Sequence, residues 1–244
     1  MLATIKAEAR KLLTVRSTYF IVAFALLLAG FVAFYAIGYK SGSVIPENGI
    51  QRAVFDVISV VPIFLAIIAI LLITHEYRYN TISYTLTSSN SRMKVLLAKL
   101  LVVSVFTIAA TLVFVAWIAA VTLLGVHMAG HRLLPQNFDY LEVLWKSVLF
   151  MVTGSLAGLV IGFLSRSVVF AIVAYFLIPT TVEPILNSLL KVNANYLPFM
   201  AQSQILIDDM PKAFSPLASA GVFTAYLAGA WIVAAILFVR KDAN

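Results

Sequence analysis

Six runs of apolar residues, at about 19–39, 54–74, 100–125, 147–164, 168–190 and 218–239, alternate with short polar stretches along this chain. Each run is continuous rather than alternating, which predicts helices and argues against the strands of a barrel. A helix rises about 1.5 Å per residue, so about 20 apolar residues cross a hydrocarbon core of about 30 Å. The fourth run meets that length by the narrowest margin. The pattern predicts an all-α polytopic membrane protein, with six transmembrane helices in a single domain over residues 1–244.

Residues 1–17 carry a different pattern. Leu2, Ile5, Ala9, Leu12 and Leu13 recur at helical spacing, while Lys6, Glu8, Arg10 and Lys11 fall off that face. This predicts an amphipathic interfacial helix. The apolar run after it is too long for a signal peptide and lacks a small-residue cleavage pattern, so it reads as a retained anchor.

The basic residues orient the spans. Lys6, Arg10, Lys11, Arg16, Arg78, Arg92, Lys94, Lys99, Arg166, Arg240 and Lys241 fall on one side. Lys40, Arg52, Arg132, Lys146, Lys191 and Lys212 fall on the other. The richer side is expected to be cytoplasmic, with both termini inside. The last outer loop, 191–217, is long and half apolar, which predicts a re-entrant or interfacial helix pair.

Composition narrows the function classes. Of 244 residues, 62% are hydrophobic and 11% charged, against about a quarter charged in soluble domains. No soluble fold hides that much apolar surface. The net charge of +7 sits at membrane flanks rather than in a nucleic-acid patch. Without cysteine, thiolate metal sites, cysteine nucleophiles and disulfides are excluded.

Few polar residues remain to carry chemistry. The densest group follows the second run: His75-Glu76-Tyr77-Arg78-Tyr79-Asn80-Thr81-Ile82, continuing to Arg92 and Lys99. It reads either as a solvated topogenic loop or as a docking element. His75-Glu76 is not a metalloprotease signature, since position 79 is Tyr. His127 and His131 have metal-pair spacing, but Gly130 opposes a helix there, and a solvated loop is the plainer reading. Gly154, Gly158 and Gly162 form a stripe that suits close helix packing. Glu183 lies at membrane depth between Pro179 and Pro184. It is a candidate for the transport pathway, or else a group that snorkels outward or pairs with Lys191.

Glu76, Thr81-Ile82, Leu86, Arg92 and Lys99, placed between the second and third of six spans, resemble the ABC-2 type permeases, the membrane subunits of ABC exporters. In that family an acidic residue is followed by Gly-Thr, then Leu, then often Pro before Arg, with Lys seven positions on. Asn80 stands here where Gly is usual, and Asn90 near the usual Pro. Asn tolerates positive φ, so the backbone shape is expected to survive.

The resemblance implies that loop 75–94 forms a coupling helix seated on an ATPase, with Glu76, Thr81, Ile82, Leu86, Arg92 and Lys99 as its coupling residues. The N-terminal helix would be the connecting helix, and 191–217 the re-entrant pair. The chain itself has no Gly-x-x-x-x-Gly-Lys-Ser/Thr motif to cradle phosphates. ATP and Mg are therefore expected in a separate cytosolic ATPase, in two copies, and no cofactor on this chain. A second permease chain, identical or not, would complete the pathway in the cell membrane. The rival readings are a non-transporting anchor or sensor, and an intramembrane hydrolase. The hydrolase lacks a histidine at depth.

Overall fold

The computed structural model describes residues 1–40, 42, 44–82, 84, 91–190, 194–206 and 214–241, and only the backbone at 190, 194 and 239–241. Within these residues the fold is helical, with six helices long and apolar enough to span a membrane. They are Arg16–Tyr39, Gly49–Arg78, Arg92–Met128, Tyr140–Ser165, Val168–Leu189 and Pro216–Phe238. An N-terminal helix, Leu2–Thr14, precedes them.

Among the spans that begin earlier than hydropathy suggests are the second and the third. The second starts at Gly49 because Gly49–Ile58 is a helix with one buried face, Ile50, Ala53, Val54, Val57 and Ile58. Its other face carries Arg52, Asp56 and Ser59, which give the segment the polarity of a loop. A turn at 59–61 separates it from Pro62–Arg78, whose first residue needs no helical N–H partner. The third starts at Arg92, since its polar first turns continue the helix beyond the apolar run.

The second and fourth spans form the interior. In their most apolar windows, 61% and 72% of residues are buried, against 22%, 17% and 17% in the first, fifth and sixth. The glycine stripe explains why the inner pair can approach. A Cβ on Gly158 would stand 2.7 Å from the Ala66 Cβ and 2.8 Å from its Cα. One on Gly154 would meet Pro62, and one on Gly162 would meet Ile73. Side chains there would force the two backbones apart.

A second close approach lies between the first and third spans. The first span ends as a π-helix, Val32–Tyr39. There a Cβ on Gly38 would stand 2.7 Å from the Thr122 carbonyl, and one on Gly125 would stand 2.5 Å from that of Phe34. The fifth span is interrupted by a π turn at Ile178–Val182, containing Pro179 and followed by Pro184. Proline withholds its N–H from the helical ladder, so the backbone widens there.

At the end of the bundle away from the termini, Val44–Ile45 pairs in parallel with Arg132–Leu133. The Gln136 amide donates to the Pro46 carbonyl and accepts from the Ile50 N–H. Of the expected re-entrant pair, the described residues contain a short turn, Ala194–Tyr196, and one helix, Pro198–Ser203. Positions 191–193 and 207–213 of that loop lie outside the described residues.

Gly158→Leu should destabilise the detergent-solubilised chain by about 1–3 kcal/mol, the usual cost of overpacking. Gly229→Leu, where a Cβ meets nothing within 4 Å, should not. Thermal unfolding of both variants checks this; equal midpoints would refute the packing account.

Candidate functional site

The second span ends in a left-handed cap. Asn80 has φ +54°, the Thr81 N–H donates to the Glu76 carbonyl at 3.0 Å, and the Asn80 N–H donates to that of Tyr77 at 3.3 Å. These bonds run from the two residues after the helix back into its last turn, the Schellman arrangement. Asn here takes the place of the glycine usual at such caps. The cap turns Ile82 back, half-buried, against the core cluster that includes Ile73, Phe163 and Phe238. Leu86 lies outside the described residues.

Glu76 points inward from this last turn and is 5% exposed. It meets Lys99 of the third span, fully buried, at 2.8 Å. Lys99 also donates to Glu8 of the N-terminal helix at 2.6 Å. Lys11 closes the ring, donating to Glu8 at 2.7 Å and to Glu76 at 2.6 Å. Two carboxylates and two ammonium groups thus compensate one another, with Glu8, Glu76 and Lys99 buried and Lys11 half-buried at the edge.

Such a cluster is costly to assemble and costlier to break. Removing one partner of a buried pair destabilises by about 3–5 kcal/mol, because the other charge stays buried. Burial pulls the Lys11 ammonium down, but hydrogen bonds and charge from Glu76 and Glu8 outweigh it, so its pKa lies above the ordinary 10.5. A raised lysine contributes fully at any pH below its unfolded pKa, and loses its contribution as pH rises through the folded one. The Lys11 link is therefore intact throughout neutral pH. One acceptor stays unused: the Glu76 Oε2 is buried and has no partner among the described residues. An orphaned buried acceptor costs about 1–3 kcal/mol.

Glu8 corrects the reading of the N-terminal helix. The helical pattern puts it off the apolar face, yet it is fully buried, between Ile5 and Leu12 on the inward side. Leu2 and Leu13, assigned by that pattern to the apolar face, are exposed. The reason is Lys99, whose buried ammonium requires a carboxylate. A signal was present: Glu8 is the sole acidic residue before Glu47.

Arg92 also turns inward. Its Nη1 donates to the Phe238 carbonyl at 3.0 Å, near the C-terminal end of the sixth span, where a cation also suits the helix dipole. Arg166, at φ +54° in the tight turn between the fourth and fifth spans, lies 5.2 Å from the centre of the Tyr77 ring. Glu76 and Arg92, which the resemblance implies as coupling residues, thus both turn inward in this structure. Among the described residues, the exposed cations of this end are Lys6, Arg10, Arg16, Arg78 and Lys94.

Glu183 turns inward rather than snorkelling to a surface. It is 1% exposed, and its two oxygens accept from the Phe199 and Met200 N–H groups, each at 2.8 Å. These are first-turn donors of the Pro198–Ser203 helix, which otherwise lack partners. Lys191, its alternative partner from the sequence, lies outside the described residues. His131 Nε2 lies 2.9 Å from the Tyr39 carbonyl, and among the described residues no three potential ligands gather for a metal.

Lys99→Met should lose about 3–5 kcal/mol of stability, read as a fall in the unfolding midpoint, since it leaves Glu8 and Glu76 facing each other. Asn80→Val should lose about 1–2 kcal/mol through left-handed strain, while Asn80→Gly folds as the parent does. An Asn80→Val variant as stable as the parent would refute the cap.

No curated protein matches the chain. The sequence profile described as ABC-2 family transporter protein matches residues 4–182, from the N-terminal helix into the π turn of the fifth span. That is well over half of the 244 residues, and it contains all four members of the buried charge cluster. The chain belongs to the ABC-2 family of transporter proteins.

Proposed function

We propose that this chain is the permease subunit of an ATP-driven exporter and receives force through its charged end. In this reading the termini are cytoplasmic, two copies of a separate ATPase hold ATP and Mg, and a second permease chain completes the pathway. The chain catalyses nothing itself. One observation carries the proposal: the Glu8–Lys11–Glu76–Lys99 cluster joins the N-terminal helix to both spans flanking loop 75–94. A partner that pushes on the loop pushes on all three elements together. The coupling role of Glu76 and Lys99 is then internal, as a rigid corner. Arg92 extends the corner to the sixth span.

The contact with the ATPase falls instead to exposed groups beside the corner, Arg78 and Lys94 on either side of the loop. Interfacial charge pairs, once desolvated, are costly to lose. Charge reversal at both, Arg78→Glu with Lys94→Glu, should reduce recovery of the ATPase in copurification about tenfold, equivalent to about 1.4 kcal/mol. The unfolding midpoint should not move, because neither side chain is buried. Unchanged ATPase recovery with normal export would refute the docking role of this end. ATPase binding without substrate-stimulated hydrolysis would favour the membrane anchor instead.

A further inference from the structure

The two ends of the bundle distribute charge differently. Among the described residues, the far end exposes the carboxylates of Glu47, Asp56 and Asp139 beside its cations. The charged end exposes no carboxylate among those residues, because Glu8 and Glu76 are both buried. Those two are already matched to Lys11 and Lys99. The exposed Lys6, Arg10 and Arg16 therefore have no anion of the fold to balance them among the described residues.

These three cations share one surface. Leu2, Lys6, Arg10 and Leu13 follow one another at spacings of four, four and three, which places them in a single stripe along the N-terminal helix. All four are exposed, while Ile5, Glu8 and Leu12 face the bundle. Arg16 and the first span continue the stripe: the Tyr19 hydroxyl donates to the Leu13 carbonyl, and Tyr19 and Phe20 are exposed.

An amphipathic helix that lies on a bilayer ordinarily sinks its apolar face into it. Here Ile5, Ala9 and Leu12 of that face are turned to the bundle, and the stripe left outside sets two cations between two leucines. Two leucines hold a helix in hydrocarbon only weakly. A basic residue near an anionic membrane surface strengthens binding about fivefold.

We propose that the stripe from Leu2 to Arg16 docks on the anionic lipids of the leaflet beside it. Lys6, Arg10 and Arg16 meet lipid phosphates, and Leu2 and Leu13 enter the acyl boundary. Charge complementarity selects the lipid, and continuity with Tyr19 and Phe20 of the first span selects a membrane over a soluble protein. Arg78 and Lys94 belong to other elements and take no part. The proposal does not depend on the export reading, since it concerns the chain alone.

The test is native mass spectrometry of the full chain in detergent micelles, with equal amounts of phosphatidylglycerol, phosphatidylcholine and phosphatidylethanolamine of matched acyl chains. The phosphatidylglycerol adduct should exceed each of the others about tenfold at low salt and lose that lead as salt is raised. Lys6→Gln with Arg10→Gln and Arg16→Gln should abolish the lead and leave the unfolding midpoint unchanged, because none of the three is buried. Should the triple variant fail to insert, Lys6→Gln with Arg10→Gln decides, and should remove most of the lead. Arg78→Gln with Lys94→Gln should keep it. Equal binding of the three lipids would leave the stripe to a protein partner and overturn the proposal. A lead that survives the loss of Lys6, Arg10 and Arg16, or that disappears with Arg78 and Lys94, would overturn it too.

Discussion

A lysine with no access to water sets the terms for one end of this molecule. Lys99 is fully buried, and a buried ammonium persists only where anions surround it. Its two carboxylates come from Glu76, 23 positions before it, and from Glu8, 91 before it. Both elements must therefore arrive for the third span to pack. Lys11 follows because two carboxylates sharing one ammonium would leave net negative charge inside. The N-terminal helix is consequently part of the bundle, packed on the third span rather than merely resting on a membrane surface.

The inward turn of these charges separates two jobs that the resemblance had merged. Glu76, Lys99 and Arg92 hold the helices in register, while Arg78 and Lys94 stand exposed beside them. A buried pair can transmit displacement because breaking it is expensive, whereas exposed pairs contribute only about 0–1 kcal/mol. Rigidity inside and adaptable charge outside are compatible demands on one short stretch of chain.

The spans were legible because hydrocarbon demands long apolar runs, a constraint local to each helix. Their ends were less so. Gly49–Ile58 is half polar, and Arg92–Lys99 mixes charge with apolar residues, so neither registers as membrane although both are helical. The turn at Asn80 was readable, since few residues accept positive φ and Asn is one of them. Glu8 was misplaced because helical-wheel logic sends charges outward, and only a partner 91 residues away reverses that. Glu183 was recognised as exceptional, but its partners are backbone N–H groups, which carry no signature in the sequence. The π-helix at Val32–Tyr39, with its glycine contact to the third span, breaks the 3.6-residue period on which such reading rests.

The two ends of the bundle are held by different means. At the charged end, long side chains join the N-terminal helix to the second and third spans, and the third span to the sixth. At the far end, the paired strands, the Gln136 amide and the Gln51 amide, which donates to Glu142 at 2.9 Å, tie the loops to the second and fourth spans. The fifth span has few such ties. It is little buried, its backbone is interrupted at Ile178–Val182, and its firmest attachment beyond the interruption is Glu183 on the Pro198–Ser203 helix. That helix is itself fixed inward, where Gln202 donates to the Phe150 carbonyl and Gln204 bonds Asn195 and Ser219. A tilt of the fifth span at its break must therefore either carry the loop helix away from the fourth span or strip Glu183 of both its donors. The second course leaves a buried carboxylate bare, so the loop helix and the lower-numbered end of the sixth span are the parts that must follow.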